Sequence, residues 1–349
     1  MHIQQNVELA PLTTFGIGGP AKWFVDAETE SDVIEAANWA RAQDVPLFVM
    51  GGGSNLLVSD AGFDGLVLHV AIRGVEMRRS AQQAECIFRV AAGENWDGVV
   101  QRTIDENCAG IECLAGIPGD VGGTPVQNVG AYGQEVASTV VRVRCYDLRS
   151  GETVEMNAAE CSFGYRRSRF NTSDKGRYVI LAVEYVLTHG GRPSLKYADL
   201  QREFPAGSNP SLGQIADVVR RIRQAKGMLI SEGDPDCRSA GSFFKNPVVG
   251  KEQAASIARI GGSEVPQFPA APDQPGHVKI SAAWLIAKAG FARGYQLGSA
   301  GISTKHTLAL VNLGGATASE ILALADQIHS AVLDQFSIDL QMEPVMLGF

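Results

Sequence analysis

The chain has 349 residues, with 30 Lys and Arg against 38 Asp and Glu, a formal net charge of −8 and 45% apolar residues. This is the composition of a globular protein long enough for two or three domains with formed cores, and its acidity argues against a surface that grips nucleic-acid phosphates. No apolar run approaches the roughly 20 residues of a membrane helix, and residues 1–9 are polar with no basic-then-apolar pattern, so a soluble cytoplasmic protein without a membrane partner is expected.

In chain order, Ser31 is placed to cap a helix whose apolar positions Val33, Ile34, Ala37 and Ala40 follow helical spacing, and residues 46–50 then read as a buried strand, a βαβ-like start. Further strands are predicted at residues 65–70, 86–91, 139–147 and 178–188, with a helix at 95–106. Residues 211–226 repeat apolar side chains at Leu212, Ile215, Val218, Val219 and Ile222 and stop before Gly227, an amphipathic helix expected to link two domains. Residues 265–276 are proline-rich and read as a loop. Thr317 and Glu320 form a capping box ahead of a helix of about five turns, and a short strand is expected near Glu343. The six cysteines contain no Cys-x-x-Cys pair, so no metal site is expected and the thiols read as reduced, buried and structural.

Two glycine-rich segments suggest a bound ligand. Gly51-Gly52-Gly53-Ser54-Asn55-Leu56 follows a strand and offers backbone N–H groups with little bulk, a shape suited to an anion such as a pyrophosphate. It is not the dinucleotide fingerprint, because Leu56 stands where the third glycine would fall and strand-like residues follow. The second, Gly116-Ile117-Pro118-Gly119-Asp120-Val121-Gly122-Gly123-Thr124-Pro125-Val126-Gln127-Asn128-Val129-Gly130-Ala131-Tyr132-Gly133, has enough special backbone to lie close against a flat ligand. An ordinary turn and a flexible loop are the plainer readings of the two.

Three other places carry candidate chemistry. Phe163-Gly164-Tyr165-Arg166-Arg167-Ser168 sets a guanidinium beside an aromatic ring, a pairing that can orient a carboxylate. Gly241-Ser242-Phe243-Phe244-Lys245-Asn246-Pro247 holds a hydroxyl, an ammonium and an amide in a short stiff run, and with no base beside it Ser242 reads as a proton donor. Glu343 sits in an apolar tail, where a carboxyl is costly unless paired or functional. Arg220, Arg221, Arg223, Lys226, Arg238 and Lys245 outnumber Glu232, Asp234 and Asp236 nearby, which suits an anionic small ligand and equally a solvated helix face.

Taken together, these segments and their order resemble the UDP-N-acetylenolpyruvoylglucosamine reductase family over nearly the whole chain, with Thr13-Thr14-Phe15-Gly16-Ile17-Gly18 matching its start and Ala282-Ala283-Trp284-Leu285-Ile286 the part after the serine motif. The resemblance implies an α+β fold: a vanillyl-alcohol-oxidase-type (PCMH-like) FAD-binding domain of two α+β subdomains plus a C-terminal α+β substrate-binding domain. The boundaries it implies are 1–72 for the first subdomain, joined by the C-terminal strand 337–349, then 73–226 for the second and 227–336 for the substrate domain. It further implies non-covalent FAD on the two glycine-rich segments, since no histidine in residues 51–57 could tether it, with NADPH as electron donor and a UDP-sugar nucleotide as substrate. Ser242 would protonate the substrate carbon while Arg166 and Glu343 stabilise the enolic carboxylate. Tyr165, Lys226 and Asn246 would hold the substrate, and Tyr197 matches the mobile tyrosine loop of the longer subtype. Val345 departs from the pattern, standing where many relatives carry an arginine. Another FAD-dependent oxidase or dehydrogenase of the same superfamily, or a non-catalytic flavin-binding module, are the alternatives.

Overall fold

The structure is a computed structural model and describes residues 1–79, 84–270 and 274–349. It resolves into two compact units, one of Met1–Val7, Ala21–Gly52 and Asp64–Arg223, the other of Glu8–Pro20, Gly53–Phe63 and Gln224–Phe349.

The described residues of the first unit form two larger sheets and a two-stranded hairpin. One has the strand order Gln4–Glu8, Pro20–Ala27, Phe63–Val70, Leu47–Met50, so the strand after the first helix lies beside Phe63–Val70, in parallel, and not beside the strand before the helix. That helix, Glu30–Ala42, starts two residues earlier than a Ser31 cap would place it. Thr29 is the cap: its hydroxyl accepts from Asp32 N at 3.1 Å while the Asp32 carboxylate accepts from Thr29 N at 3.0 Å, and Ser31 falls inside the first turn. The second sheet is antiparallel and runs Glu152–Asn157, Val140–Asp147, Tyr178–His189, Glu85–Ala91, Val75–Arg79, with the two-residue strand Cys108–Ala109 also on Tyr178–His189. Tyr178–His189 alternates buried valines and leucines with half-exposed residues near its end, and its twelve residues let three neighbours share it. The helix Trp96–Asp105, capped by Asn95, drives Trp96, Val99 and Val100 into the same core.

The predicted amphipathic helix is Leu212–Ala225, and Gly227 at φ 64° marks its stop. The boundary between the units falls within it, after Arg223.

The second unit has its own core of Phe15, Leu57, Phe243, Phe244, Ile321, Leu324 and Ile328, among others. Its small sheets are Val248–Gly250, His277–Ile280 and Gln267–Pro269, then Gln296–Leu297, Ala300–Ile302 and Leu310–Asn312, and a parallel pair of Val345–Leu347 with Leu56–Val58. The proline-rich stretch expected as a loop therefore contains a strand, Gln267–Pro269, because His277–Ile280 supplies an antiparallel partner; residues 271–273 lie outside the described residues. The helix Ala318–Phe336 has the predicted Thr317–Glu320 capping box and ends on Ser337 in the left-handed region. Asp60 adds a second cap, accepting from Ala318 N at 2.6 Å, Ser319 N at 3.1 Å and Ser319 Oγ at 2.7 Å.

Candidate active site

In the first unit the two glycine-rich segments meet backbone to backbone. A Cβ on Gly52 would stand 2.9 Å from the Cα of Gly119, so only glycine permits the approach. Gly116 and Gly119 take φ of 71° and 109°, and Gly123 faces open space in which a Cβ would touch nothing within 4 Å. Among the described residues the N–H groups of Gly51, Gly52 and Gly119 find no acceptor in the protein. A cradle of close-packed glycine backbone with outward donors suits a flat, anionic dinucleotide, and FAD fits these residues. Beside it, Asp120 has its pKa raised by burial, against which the His69 and Arg73 charges pull.

The far end of the second segment is a hairpin. Gly130–Ala131 pairs with Gln134–Glu135, and the two residues between, Tyr132 and Gly133, have φ of 49° and 83°. Positive φ at both centres is the requirement of a type I′ turn, whose twist matches that of the strands it joins. Gly130 is fixed as glycine because a Cβ there would lie 2.6 Å from Glu135 Cγ. Tyr132 packs edge-on to Tyr197 with ring centroids 5.2 Å apart, and burial pushes its hydroxyl up to about 12 while the Arg223 charge opposes. Arg223 is buried and donates from Nε to Gly116 O at 3.0 Å.

Arg166 occupies the second corner of the four-residue turn Gly164 to Arg167, closed by hydrogen bonds in both directions (2.8 and 3.1 Å), and is itself at φ 52°. Strained corners of this kind cost about 1–3 kcal/mol and persist where the surroundings over-determine them. Here Arg166 Nη2 donates to Gly130 O at 2.8 Å, and its guanidinium lies 5.6 Å from the centroid of the Tyr165 ring. Asn128 ties the same turn to the hairpin, donating to Glu135 Oε2 and Gly164 O and accepting from Ala137 N, so its amide is fully engaged inside the protein. Thr124 is likewise turned inward, bonded to Val121 O and the Tyr185 hydroxyl.

In the second unit Ser242 and Glu343 lie on adjacent extended segments. Glu343 N donates to Phe243 O at 2.9 Å, Lys245 N to Gln341 O at 2.9 Å, and Phe244 and Met342 form an antiparallel bridge, so Ser242 and Glu343 are offset by one residue across the pair. Both are half-buried, whereas Phe243 and Phe244 between them are fully buried and stack edge-on at 5.3 Å, which anchors the backbone that carries Ser242. Asn55 grips the opposite side of the tail: its amide donates to Glu343 O at 3.3 Å and its own carbonyl accepts from Val345 N at 2.9 Å. Asn246 Oδ1 accepts from Ala282 N at 3.0 Å at the start of the helix Ala282–Lys288. Lys226 lies near His306, whose pKa is pulled down to about 4 by burial first and then by the charges of Lys226 and Arg293.

Three of the basic residues read from the sequence as a cluster, Arg220, Arg221 and Arg223, are engaged within the first unit. Arg220 is paired with Asp97 at 2.9 Å, Arg221 with Glu203 at 2.9 Å, and Arg223 points into the core. Three supporting residues escape a linear reading because their partners are remote. Asp97 accepts from Gly116 N at 2.7 Å as well as from Arg220; Thr14 donates to Ser239 O at 2.6 Å just ahead of the serine motif. Glu112, almost fully buried, accepts from Gly110 N, Gln134 Nε2 and Ser194 N at 2.7, 2.8 and 2.9 Å, and so ties the chain three residues before Tyr197 to the glycine segment.

The FAD binding domain family matches residues 21–157, and the family of the UDP-N-acetylenolpyruvoylglucosamine reductase C-terminal domain matches residues 234–347. The UDP-N-acetylenolpyruvoylglucosamine reductase of Streptomyces coelicolor is 47% identical across 98% of this chain and 90% of its own, and that of Thermobifida fusca 45% identical across 99% and 98%. The crystal structure of UDP-N-acetylenolpyruvylglucosamine reductase from Thermus caldophilus superposes with a TM-score of 0.68 at 25% identity, covering 99% of both chains. The fold and these matches define an FAD-dependent oxidoreductase of mixed α and β architecture with an FAD-binding domain. Within that class, the chain belongs to the UDP-N-acetylenolpyruvoylglucosamine reductase family. Among its described residues no helix is long and apolar enough to cross a membrane.

Proposed function

We propose that this protein reduces UDP-N-acetylglucosamine enolpyruvate to UDP-N-acetylmuramate at the expense of NADPH, a step of peptidoglycan precursor synthesis carried out in the cytoplasm. Family membership supports the reaction, and the observation that supports the site is that Ser242 and Glu343 lie on two short segments tied to one another by backbone hydrogen bonds. FAD held by the two glycine-rich segments would supply the hydride chemistry that links NADPH to the enol ether.

Ser242 donates the proton that completes the reduction at the neighbouring carbon, and the buried phenylalanines after it keep the hydroxyl from wandering. Arg166 offers a guanidinium to the substrate carboxylate as charge builds there, with its turn already strained into place and its approach guided by the Gly130 carbonyl. Glu343 donates a hydrogen bond to the same enolic carboxylate in its protonated form, its position fixed from both sides by Phe243 and Asn55. Tyr165, Tyr197, Lys226 and Asn246 hold the sugar nucleotide. Gly51, Gly52, Gly53, Ser54 and Asn55, with the segment from Gly116 to Gly133, hold FAD without a covalent bond. On this reading residues 1–72 and 73–226 form the flavin side, 227–336 the substrate side, and 337–349 return to the first part, as the pairing of Val345–Leu347 with Leu56–Val58 supports.

The test is spectroscopic. Purified protein should show flavin bands that fade with NADPH under anaerobic conditions and return when the enolpyruvyl sugar nucleotide is added. NADPH oxidation at one rate with and without that substrate would remove the assignment.

A further inference from the structure

Among the described residues, one group of three potential metal ligands converges, and it lies in the antiparallel sheet of the first unit: Cys86, Cys108 and His189, whose ligand atoms all lie within 4.8 Å of one another. They come from three strands. Cys86 is in Glu85–Ala91, opposite Leu187, and Cys108 is in Cys108–Ala109, opposite His189 at the end of Tyr178–His189. Leu187 and His189 are two apart on one strand, so the pairing sets both thiols and the imidazole on one face of the sheet.

We propose that Cys86, Cys108 and His189 form a binding site for a thiophilic divalent cation, with zinc the natural occupant. Two sulfurs and an imidazole nitrogen are the donor set that zinc selects over magnesium or calcium. A tetrahedral zinc, with bonds of about 2.3 Å to sulfur and about 2.1 Å to nitrogen, spaces its ligands roughly 3.5–3.8 Å apart, so side-chain adjustment of about 1 Å closes the site. The Glu106 carbonyl lies against the group already: Cys108 Sγ donates to it at 3.4 Å and His189 Nδ1 is 3.2 Å away. Backbone carbonyls that orient a histidine ring commonly support ligating imidazoles. Both thiols are buried and the imidazole is exposed, which gives the ion an entry from solvent and leaves a fourth position to water. The bound ion would lock together Glu85–Ala91, Cys108–Ala109 and Tyr178–His189 at an end of the sheet where the pairing is only two residues long on one side. Binding releases the two thiol protons to solvent and involves no change of oxidation state.

Cobalt(II) reports such a site by thiolate charge-transfer bands and by visible bands at longer wavelength than the flavin. The flavin-loaded protein, freed of metal by dialysis against chelator, should take up one equivalent of cobalt with a tetrahedral spectrum that zinc then abolishes. Cys86→Ser and Cys108→Ser should each lose the thiolate bands in proportion, and His189→Gln should weaken binding at least about tenfold. The histidine is exposed, so its variant keeps the fold and decides the matter even if the cysteine variants lose their flavin. No stoichiometric uptake by the parent protein, or the same affinity in His189→Gln, would overturn the proposal.

Discussion

Replacing Glu112 by glutamine probes one buried side chain that joins a local donor, Gly110 N, to two remote ones. Oε1 accepts from Gln134 Nε2 and Ser194 N, and Oε2 accepts from Gly110 N. A glutamine that keeps its oxygen toward the first two donors must turn its NH₂ toward Gly110 N–H, leaving two donors face to face. An unsatisfied buried donor costs about 1–3 kcal/mol, and the two remaining bonds drop from charge-assisted to neutral strength, so the total is about 2–4 kcal/mol. For a folded unit of this size that corresponds to a fall of roughly 5–10 °C in Tm. The effect should also reach substrate binding, because Ser194 precedes Tyr197 by three residues and Tyr197 packs on Tyr132. Differential scanning calorimetry of the flavin-loaded protein, with steady-state kinetics on the sugar nucleotide, checks both parts. KM should rise while the rate of flavin reduction by NADPH stays near that of the parent. An unchanged Tm would refute the hydrogen-bond account, and a lowered Tm with unchanged KM would refute the link to Tyr197.

Other outcomes are expected from the same structure. Tyr197→Phe should raise KM for the sugar nucleotide more than it slows flavin reduction, as stopped-flow measurement of the two half-reactions can show. His306 is held neutral with its pKa pulled down to about 4, so below its ordinary value near 6.5 the unfolded chain takes up a proton that the folded chain refuses. Stability should therefore fall as pH drops from about 6.5 toward 4, by up to ~3 kcal/mol, and denaturant titrations of His306→Gln should show a flatter profile over that window. For Asp60, burial raises the pKa, but the Ser319 hydroxyl and the Ala318 and Ser319 N–H groups outweigh it and the net shift is downward. Its contribution is thus present above about pH 4 and lost below it. Asp60→Ala should cost about 1–3 kcal/mol at neutral pH through the helix it caps, measurable by urea unfolding.

What the sequence made legible was local. The capping box Thr317–Glu320, the amphipathic run ending before Gly227 and the long apolar strand ending at His189 each depend on neighbours within a few residues. The two glycine-rich segments stand out in the sequence for the same reason, although only the structure shows that Gly52 is pressed against Gly119. The first helix was mis-capped by two residues because Thr29 and Ser31 are both good caps and only Thr29 has an acidic residue three positions on. The strand Gln267–Pro269 was hidden because its composition is that of a loop and its partner, His277–Ile280, supplies the order. Remote partners account for the rest. Glu112 takes donors from positions 134 and 194, Asn55 holds a tail 288 residues away, and Cys86, Cys108 and His189 come together only through the pairing of three strands.

The central claim is that Ser242 supplies the proton once hydride has been delivered, and Ser242→Ala tests it by separating the two half-reactions. The variant should bind FAD and be reduced by NADPH at the parent rate, yet reoxidise with the enolpyruvyl sugar nucleotide about 10²- to 10⁴-fold more slowly. Reoxidation within a few-fold of the parent protein would contradict the account.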